Sequence, residues 1–590
     1  MKPIRNLLAA SAWMLLQALP SAACAANYYV ASNGTPDNSG PGTKQQPWGN
    51  LSKVFSDHIL RGGDVVTVLD TYVVTQRIKI VENPGASITL RGEPRVQGGE
   101  YKLDCRVQRA RPEDPTPDCI SIEGSSRIRL SGLTIDGAGT PDGSLIHIQA
   151  GSRDIQVSGN RLRNGKVYAV HVEGRRNTDL SVVVDNNDIR DNVNTAVYVM
   201  LGNTVSISGN AIQNVTNGDG IVVVETVGAT IAGNTVKSVR KVTADGKGKD
   251  GIKARPSENL TIERNWVEDI AGSAIYLAGP YNWAVRTRHA NVKVLDNTVT
   301  KAVMLNEYTG TPRCQGFGWP SALNVSQTDG VLIQGNHVFQ NFGEGITLND
   351  ATRGTLVQNN SHDNFGVNLY LNNASNSTVD RNQAINDPAL TAFYRCGAPA
   401  GGIGLANEKA EYDNYKPLSA LSISNNLAIN GRFGINFYWE PTDHYQPIDK
   451  TGLQNVNILN NTVYRTWENA LAIVDTRNHL GNAIQSNIWV SRDSTWPVAK
   501  VPTVGFDCMS NLWWASTAVP SSCVHPSDIF ADPQFVHAGG AATADYQLTS
   551  GSPAIDVAGY TVPVPFVWHD FFGNKRALGA WDMGAHELKK

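Results

Sequence analysis

A short phrase keeps returning along this chain: alternating apolar residues run into Asn, and an apolar pair follows. It stands at Val157–Leu162 (VSGNRL), Ile207–Ile212 (ISGNAI), Ile231–Val236 (IAGNTV), Ile262–Val267 (IERNWV), Val294–Val299 (VLDNTV), Ile333–Val338 (IQGNHV), Ile423–Ala428 (ISNNLA) and Ile458–Val463 (ILNNTV). With weaker copies included, the anchors are Asn160, Asn187, Asn210, Asn234, Asn265, Asn297, Asn336, Asn360, Asn382, Asn426, Asn461 and Asn487. The shortest steps, such as 187 to 210 and 360 to 382, are 22 to 24 residues. The longer steps read as the same unit with a loop inserted. A repeat of this length marks a solenoid, and the period-two alternation makes its units strands.

Each unit holds about three short strands, too few to bury an apolar face alone. Stacked copies form parallel sheets around one continuous core. Asn suits a tight bend because it tolerates left-handed backbone angles, and stacked asparagines can bond one another in a ladder. The expected fold is therefore all-β, a right-handed parallel β-helix. The alternative is a β-sandwich or a propeller, and propeller blades would show a longer, more regular period with hairpin turns.

The ends bound the compartment. Lys2 and Arg5 precede an apolar run from Leu7 to Leu19, and Ala23-Cys24-Ala25 fits a signal-peptidase site, so residues 1–25 read as a signal peptide. Ser21-Ala22-Ala23 lacks the Leu-type residue of a lipoprotein signal at Cys24. No segment is apolar enough to span a bilayer. Export to the periplasm or the medium is expected. The six remaining cysteines then pair: Cys105–Cys119 and Cys508–Cys523 each close a short loop, and Cys314–Cys396 joins two long inserts. Charged residues make up 17% and the net charge is −3, which argues against a nucleic-acid partner and leaves any anionic ligand to a local cluster. A monomer is expected.

Four regions follow: the signal peptide, an N-terminal cap over 26–62, coils over 63–500, and a C-terminal cap or strap over 501–590. The cap contains an amphipathic helix from Asn50, with Leu51, Val54, Phe55, Ile59 and Leu60 on one face.

The opening from Tyr28 to Leu51 (YYVASNGTPDNSGPGTKQQPWGNL) and the tail motifs DPQFV, SPAID and DMGAHE resemble those of secreted bacterial parallel β-helix proteins of the pectate lyase-like superfamily, which includes polysaccharide lyases and glycosidases. The resemblance implies a site on the outer face of one sheet, walled by long loops. The strands after the long loops begin with a small residue and then alternate, which puts an outward column at His171 and Glu173, Tyr198 and Met200, Val222 and Val224, Lys253 and Arg255, Tyr276, Asn324 and Ser326, Thr347 and Asn349, Tyr370 and Asn372, Asn436 and Tyr438.

In that column one strand carries two cations, Lys253 and Arg255. Tyr276 follows, then a loop with Tyr281, Trp283, Arg286, Arg288 and His289. β-Elimination on a uronic-acid polymer needs a cation, or Ca²⁺, on the carboxylate and a base at the C5 proton. The expected function is a polysaccharide lyase acting on an acidic polysaccharide, with Lys253, Arg255 and Tyr276 catalytic. Arg255 would lower the pKa of Lys253 toward that of a useful base. Tyr281, Trp283, Arg286, Arg288, His289, Asn324, Asn349, Tyr370 and Tyr438 would bind substrate, with inserts 303–321 and 388–401 as a wall. Asp219, Glu225, Asp245 and Asp250 are the candidate Ca²⁺ ligands. Each of these cations and carboxylates would be ordinary on a solvated strand face. The competing reaction is glycoside hydrolysis by paired carboxylates drawn from Glu344, Asp350, Glu408 and Glu440. A C5-epimerase and a non-catalytic glycan-binding protein complete the alternatives. Residues Asp250–Asn265 are similar to the Lys-bearing strand of the chondroitinase B and alginate lyase family, but Leu277-Ala278-Gly279-Pro280 replaces that family's Arg-His pair, so no role carries over.

Overall fold

The computed structural model describes residues 25–57, 60–81, 87–93, 101–108, 117–138, 143–176, 178–280, 287–312, 314–315, 320–408, 417–439, 451–475, 478–492, 495–514, 519–563, 568–576 and 579–589. Among them are three parallel sheets of 18, 15 and 16 strands. Each coil adds one strand to each sheet in turn: Ile155–Ser158 to sheet A, Arg161–Arg163 to sheet B, Val170–Glu173 to sheet C, and so on up the stack. The right-handed parallel β-helix expected from the repeat is the observed fold. Its cause is visible strand by strand. In sheet C, Ile146, Ile148, Val170, Val172, Val197 and Val199 all turn inward with no exposed surface. Fully burying each such side chain is worth about 1.5–3 kcal/mol before entropy is charged against it.

The asparagines form one continuous ladder. Asn210 shows the pattern: its backbone N–H and its Nδ2 both donate to Asn234 Oδ1, at 3.0 and 2.9 Å, while Nδ2 also reaches Val184 O at 2.8 Å. The same bonds link Asn160 to Asn187 and continue to Asn511. Two details differ from the expectation. The left-handed residue is the one before each rung, as at Gly159, Asn186, Gly209 and Gly233, and not the rung itself. The bend thereby turns the following Asn side chain inward, where it satisfies backbone groups that the corner leaves without a sheet partner. The rung between Asn336 and Asn382 is Asn359, not Asn360: Asn336 N and Nδ2 both meet Asn359 Oδ1, at 3.1 and 3.0 Å.

At the N-terminal end, Leu51–Asp57 is helical, and Asn50 Oδ1 accepts the Lys53 N–H at 3.1 Å as its cap. Leu51 and Val54 are buried in the main core, with Phe55 packed against it. Ile59 lies outside the described residues. The last strands of the solenoid are Phe506–Met509 and Leu512–Trp514. Beyond them the chain folds back along the outside: Phe535, Tyr546, Leu548, Ala554, Met583 and Ala585 cover outward residues such as Leu427, Ile429 and Ile488 of sheet B. All three expected disulfides are present: Cys105–Cys119, Cys314–Cys396 and Cys508–Cys523. No helix among the described residues is long and apolar enough to cross a membrane.

Candidate active site

Sheet C carries the outward column in the expected register. His171 pairs with Tyr198, then follow Val222, Lys253, Tyr276, Asn324, Thr347, Tyr370, Gly404 and Asn436. Within it the cationic cluster is built differently from the expectation. Lys253 Nζ sits 2.7 Å from Asp250 Oδ2, with its side chain only 18% exposed, and lies 5.3 Å over the Tyr276 ring. Burial alone would lower the Lys253 pKa, but Asp250 and Asp219 outweigh both burial and Arg255, and the group is held above its ordinary value. It is a fixed charge and not the activated base expected beside Arg255. The Arg255 guanidinium donates to Gly279 O at 2.6 Å.

The loop residues scatter. Tyr281, Trp283 and Arg286 lie outside the described residues. Arg288 donates to Asp350 Oδ1 at 2.9 Å, so that pair fixes a loop to a strand end. This removes Asp350 from the free carboxylates expected for hydrolysis. His289 does not face the cleft. It opens strand His289–Leu295 of sheet A and is fully buried, its Nε2 3.0 Å from Ala278 O and its Nδ1 accepting the Ser257 N–H. Burial pushes its imidazole down to about 4, which suits a neutral internal bridge and not a substrate contact.

The four candidate Ca²⁺ ligands do not gather into an oxygen cage. Asp219 Oδ1 accepts the Asp250 N–H at 2.7 Å, and Asp250 is taken by Lys253. Glu225 pairs with Arg176, and Asp245 lies 3.4 Å from Lys247 Nζ. Each carboxylate already has a local partner.

The chemistry that the structure does bring together lies further along sheet C. A cleft of about 440 Å³ is lined by Glu344, Phe365, Tyr370, Arg395, Arg432 and Tyr438, among others. Glu344 opens strand Glu344–Asn349, beside Ser321 of the preceding coil. Its Oε2 lies 2.7 Å from Ser321 Oγ and 2.9 Å from Thr347 Oγ1. Burial pushes this carboxyl up to about 7; the two hydroxyls pull it down and the charge of Glu408 adds to the rise. The Tyr370 and Tyr438 hydroxyls are 3.2 Å apart, and Tyr438 donates to Glu408. Burial, followed by Glu408 and Glu344, raises the Tyr370 pKa well above its usual value, so the ring keeps its proton. Glu440 lies outside the described residues. Asn324 and Asn349 take part in a polar run on the same face, with Asn372 Nδ2 donating to Asn349 Oδ1 at 3.1 Å and Ser326 Oγ to Asn324 Oδ1 at 2.8 Å.

Arg395, Ala398 and Pro399 of the insert over 388–401 line this cleft, which is not the Lys253 cleft that the insert was expected to wall. Phe393 packs edge-on against Phe342 and Phe365, Tyr394 donates to Asp363 Oδ1 at 2.6 Å, and the adjoining Arg395 faces the opening. Cys396 ties the insert to Cys314. Arg432 and Glu468, 2.8 Å apart, also line the cleft and were not expected there. Arg432 follows Asn430-Gly431 in the loop before strand Ile435–Trp439, the same place that the other wall residues occupy in their coils. Burial, and after it the nearby charge of Arg432, lowers the Arg395 pKa.

The family described as the right handed beta helix region matches residues 144–315 and 220–411, the coils that carry both the cationic cluster and Glu344. No curated protein matches the chain in sequence at significance. Among solved structures, the N-terminal fragment of bacteriophage Phi29 gene product 12 is 12% identical over 77% of this chain and 82% of its own, with a TM-score of 0.42. A mannuronic acid specific polysaccharide family 6 lyase from human gut microbiota is 13% identical over 84% of this chain and 88% of its own, with a TM-score of 0.34. The GH136 lacto-N-biosidase of Eubacterium ramulus is 13% identical over 74% of this chain and 64% of its own, with a TM-score of 0.29. Likenesses this distant do not bear on the reaction. Three parallel sheets wound into one solenoid, with the matched region at their centre, make this chain a right-handed parallel β-helix protein.

Proposed function

We propose that the protein is an exported carbohydrate-active enzyme, working as a monomer, that hydrolyses an anionic glycan laid across sheet C. Glu344 is its general acid. The observation that carries this reading is the Glu344 carboxyl, raised to about 7 by burial inside a cleft, with the charge of a second carboxylate, Glu408, adding to the rise. Glycoside cleavage needs such a pair, one member protonated to donate to the leaving oxygen and the other charged to activate water or attack the sugar. Glu408, held by the Tyr438 hydroxyl, supplies the charged member. Arg395 and Arg432 at the opening favour a substrate with carboxylate or sulfate groups. The disulfides support an oxidising compartment.

A second reading rests on the Lys253–Tyr276 pair, which shares the same face. With Lys253 and Arg255 neutralising a uronate and Tyr276 as base, the pair would carry out β-elimination. One experiment separates the two. The protein is incubated with pectate, alginate, glycosaminoglycans and neutral glycans while reducing ends and the ultraviolet absorbance of unsaturated uronates are followed together. Hydrolysis gives reducing ends without absorbance, and Glu344→Gln should lower the rate by about 10²-fold or more. Absorbance that disappears in Lys253→Ala and persists in Glu344→Gln would replace hydrolysis with elimination.

A further inference from the structure

Toward the N-terminal end of sheet C stands a second polar cluster. His147 and His171 are register partners on adjacent coils, and their rings stack with centroids 4.3 Å apart. Gln149 and Glu173 are partners two residues on, which brings the Glu173 carboxylate to the same face. His147 Nδ1 lies 2.8 Å from Asp118 Oδ2, and Asp118 is itself buried and fixed by the Ser144 N–H at 3.0 Å. A carboxylate on Nδ1 sets the tautomer and leaves the Nε2 lone pair pointing away. That Nε2 is buried and has no hydrogen-bond partner, with Glu173 Oε2 3.5 Å off. One donor atom from each of His147, His171 and Glu173 falls within 4.8 Å of the others, and no other group of three or more such side chains does so among the described residues.

We infer that His147, His171 and Glu173 form a binding site for a first-row divalent metal ion of the Zn²⁺ class. Two imidazoles and one carboxylate are the donors such an ion takes, whereas Ca²⁺ requires oxygen ligands throughout. Asp118 is the outer partner that orients the first ligand. Tyr168 stacks on Tyr198 and lies tilted against His171, with ring centroids 4.7 Å apart, and shields one flank. Three protein donors leave a further position for water or for an anionic oxygen of the glycan. The site is separate from the Glu344 cleft, and the inference stands whichever way the reaction is assigned.

The test is calorimetric titration of the chelator-treated full-length protein with Zn²⁺, Co²⁺ and Ca²⁺. The expected result is one equivalent of Zn²⁺ with a micromolar or tighter Kd, and visible absorption bands from Co²⁺ at the same stoichiometry. His171→Ala should abolish this binding. Glu173→Gln and Asp118→Asn should each weaken it by about 10–100-fold. A control is available, because His337 Nε2 lies 3.0 Å from His362 Nε2 in a second imidazole pair, and His337→Ala should leave the titration unchanged. If His171→Ala does not fold, Glu173→Gln decides, since that side chain is 48% exposed and folding does not depend on it. Absence of stoichiometric Zn²⁺ binding, an unchanged Kd in Glu173→Gln, or loss of binding in His337→Ala would each overturn the assignment.

Discussion

Tyr370 and Tyr438 touch hydroxyl to hydroxyl at 3.2 Å although a whole coil lies between them. They can do so because the intervening coil places Gly404 in register with Tyr370. A Cβ at that position would come within 2.9 Å of Tyr370 Cδ2. The missing side chain is what lets Tyr370 lean up the stack toward Tyr438 and Glu408.

Gly404→Ala should therefore disturb the site more than the fold. Overpacking of this kind costs about 1–3 kcal/mol. Spent on displacing Tyr370, it should lower kcat/KM by about tenfold or more. Melting temperature and kcat/KM measured on one preparation check this; unchanged kinetics would show that the Tyr370–Tyr438 contact is idle.

Glu344 should leave a signature in stability as well as in rate. Its folded pKa, about 7, lies above the ordinary 4.5. Between those values the folded chain holds a proton that the unfolded chain has lost, so stability falls as pH rises through this window and levels off above about 7. Glu344→Gln does not titrate. The variant should match the wild type below pH 4.5 and be the more stable of the two at pH 8. Activity of the wild type should show an alkaline limb near 7, because the acid must keep its proton. Parallel melting curves for the two proteins across the whole range would show that burial does not perturb Glu344.

Two adjacent asparagines make a sharp contrast. Asn359→Ala strips Asn336 of the acceptor for two donors and leaves Ile333 O without the Nδ2 that reaches it at 2.9 Å. Buried groups left unsatisfied cost about 1–3 kcal/mol each, so about 3–5 kcal/mol is expected in all. Asn360→Ala, next door and half-buried, should cost less than about 1 kcal/mol. Urea denaturation of both variants checks the difference, and equal losses would mean that the ladder carries no special weight.

That contrast also shows where the sequence stops being legible. In most coils an apolar residue two places after the rung, such as Leu162 or Val236, turns inward and sets the phase. After Asn359 the inward residue is Ser361, whose Oγ bonds Asn368 O at 2.6 Å. Without the apolar marker, the second Asn of the doublet looks like the anchor. The outward column from His171 to Tyr438 was readable because alternation within strands survives any loop between them. His147, on the strand Ile146–Gln149 just before it, obeys the same alternation and would have been found by extending the column one coil. Roles were less readable. Lys253 looks like a base until Asp250 and Asp219 are seen beside it, and Glu344 looks like an ordinary strand-end carboxylate until Ser321, Phe365 and Tyr370, each from another coil, close around it. His289 sits among loop-like residues in sequence but is the first residue of a sheet A strand and turns inward.

The C-terminal strap should release as a unit. Arg576 is fully buried, 2.9 Å from Glu587 Oε2 and 2.9 Å from Asn425 Oδ1 on the solenoid, and it also donates to Gly584 O at 2.8 Å. Arg576→Ala leaves the Glu587 carboxylate buried without its cation, at a cost of about 3–5 kcal/mol. Limited proteolysis should then cut between residues 532 and 589 while circular dichroism keeps its strand signal. A variant that resists protease like the wild type would show that apolar packing alone holds the strap.

The asparagine ladder has a bearing on how such a chain can change over time. Its rungs are separated by as few as 23 residues and as many as 44, yet each bonds the next in the same way. Length between rungs is therefore uncoupled from position along the stack. Loops on the sheet C side can lengthen, shrink or be exchanged without moving the corner that follows, so the walls around a bound glycan are free to vary while the spine beneath them stays in phase.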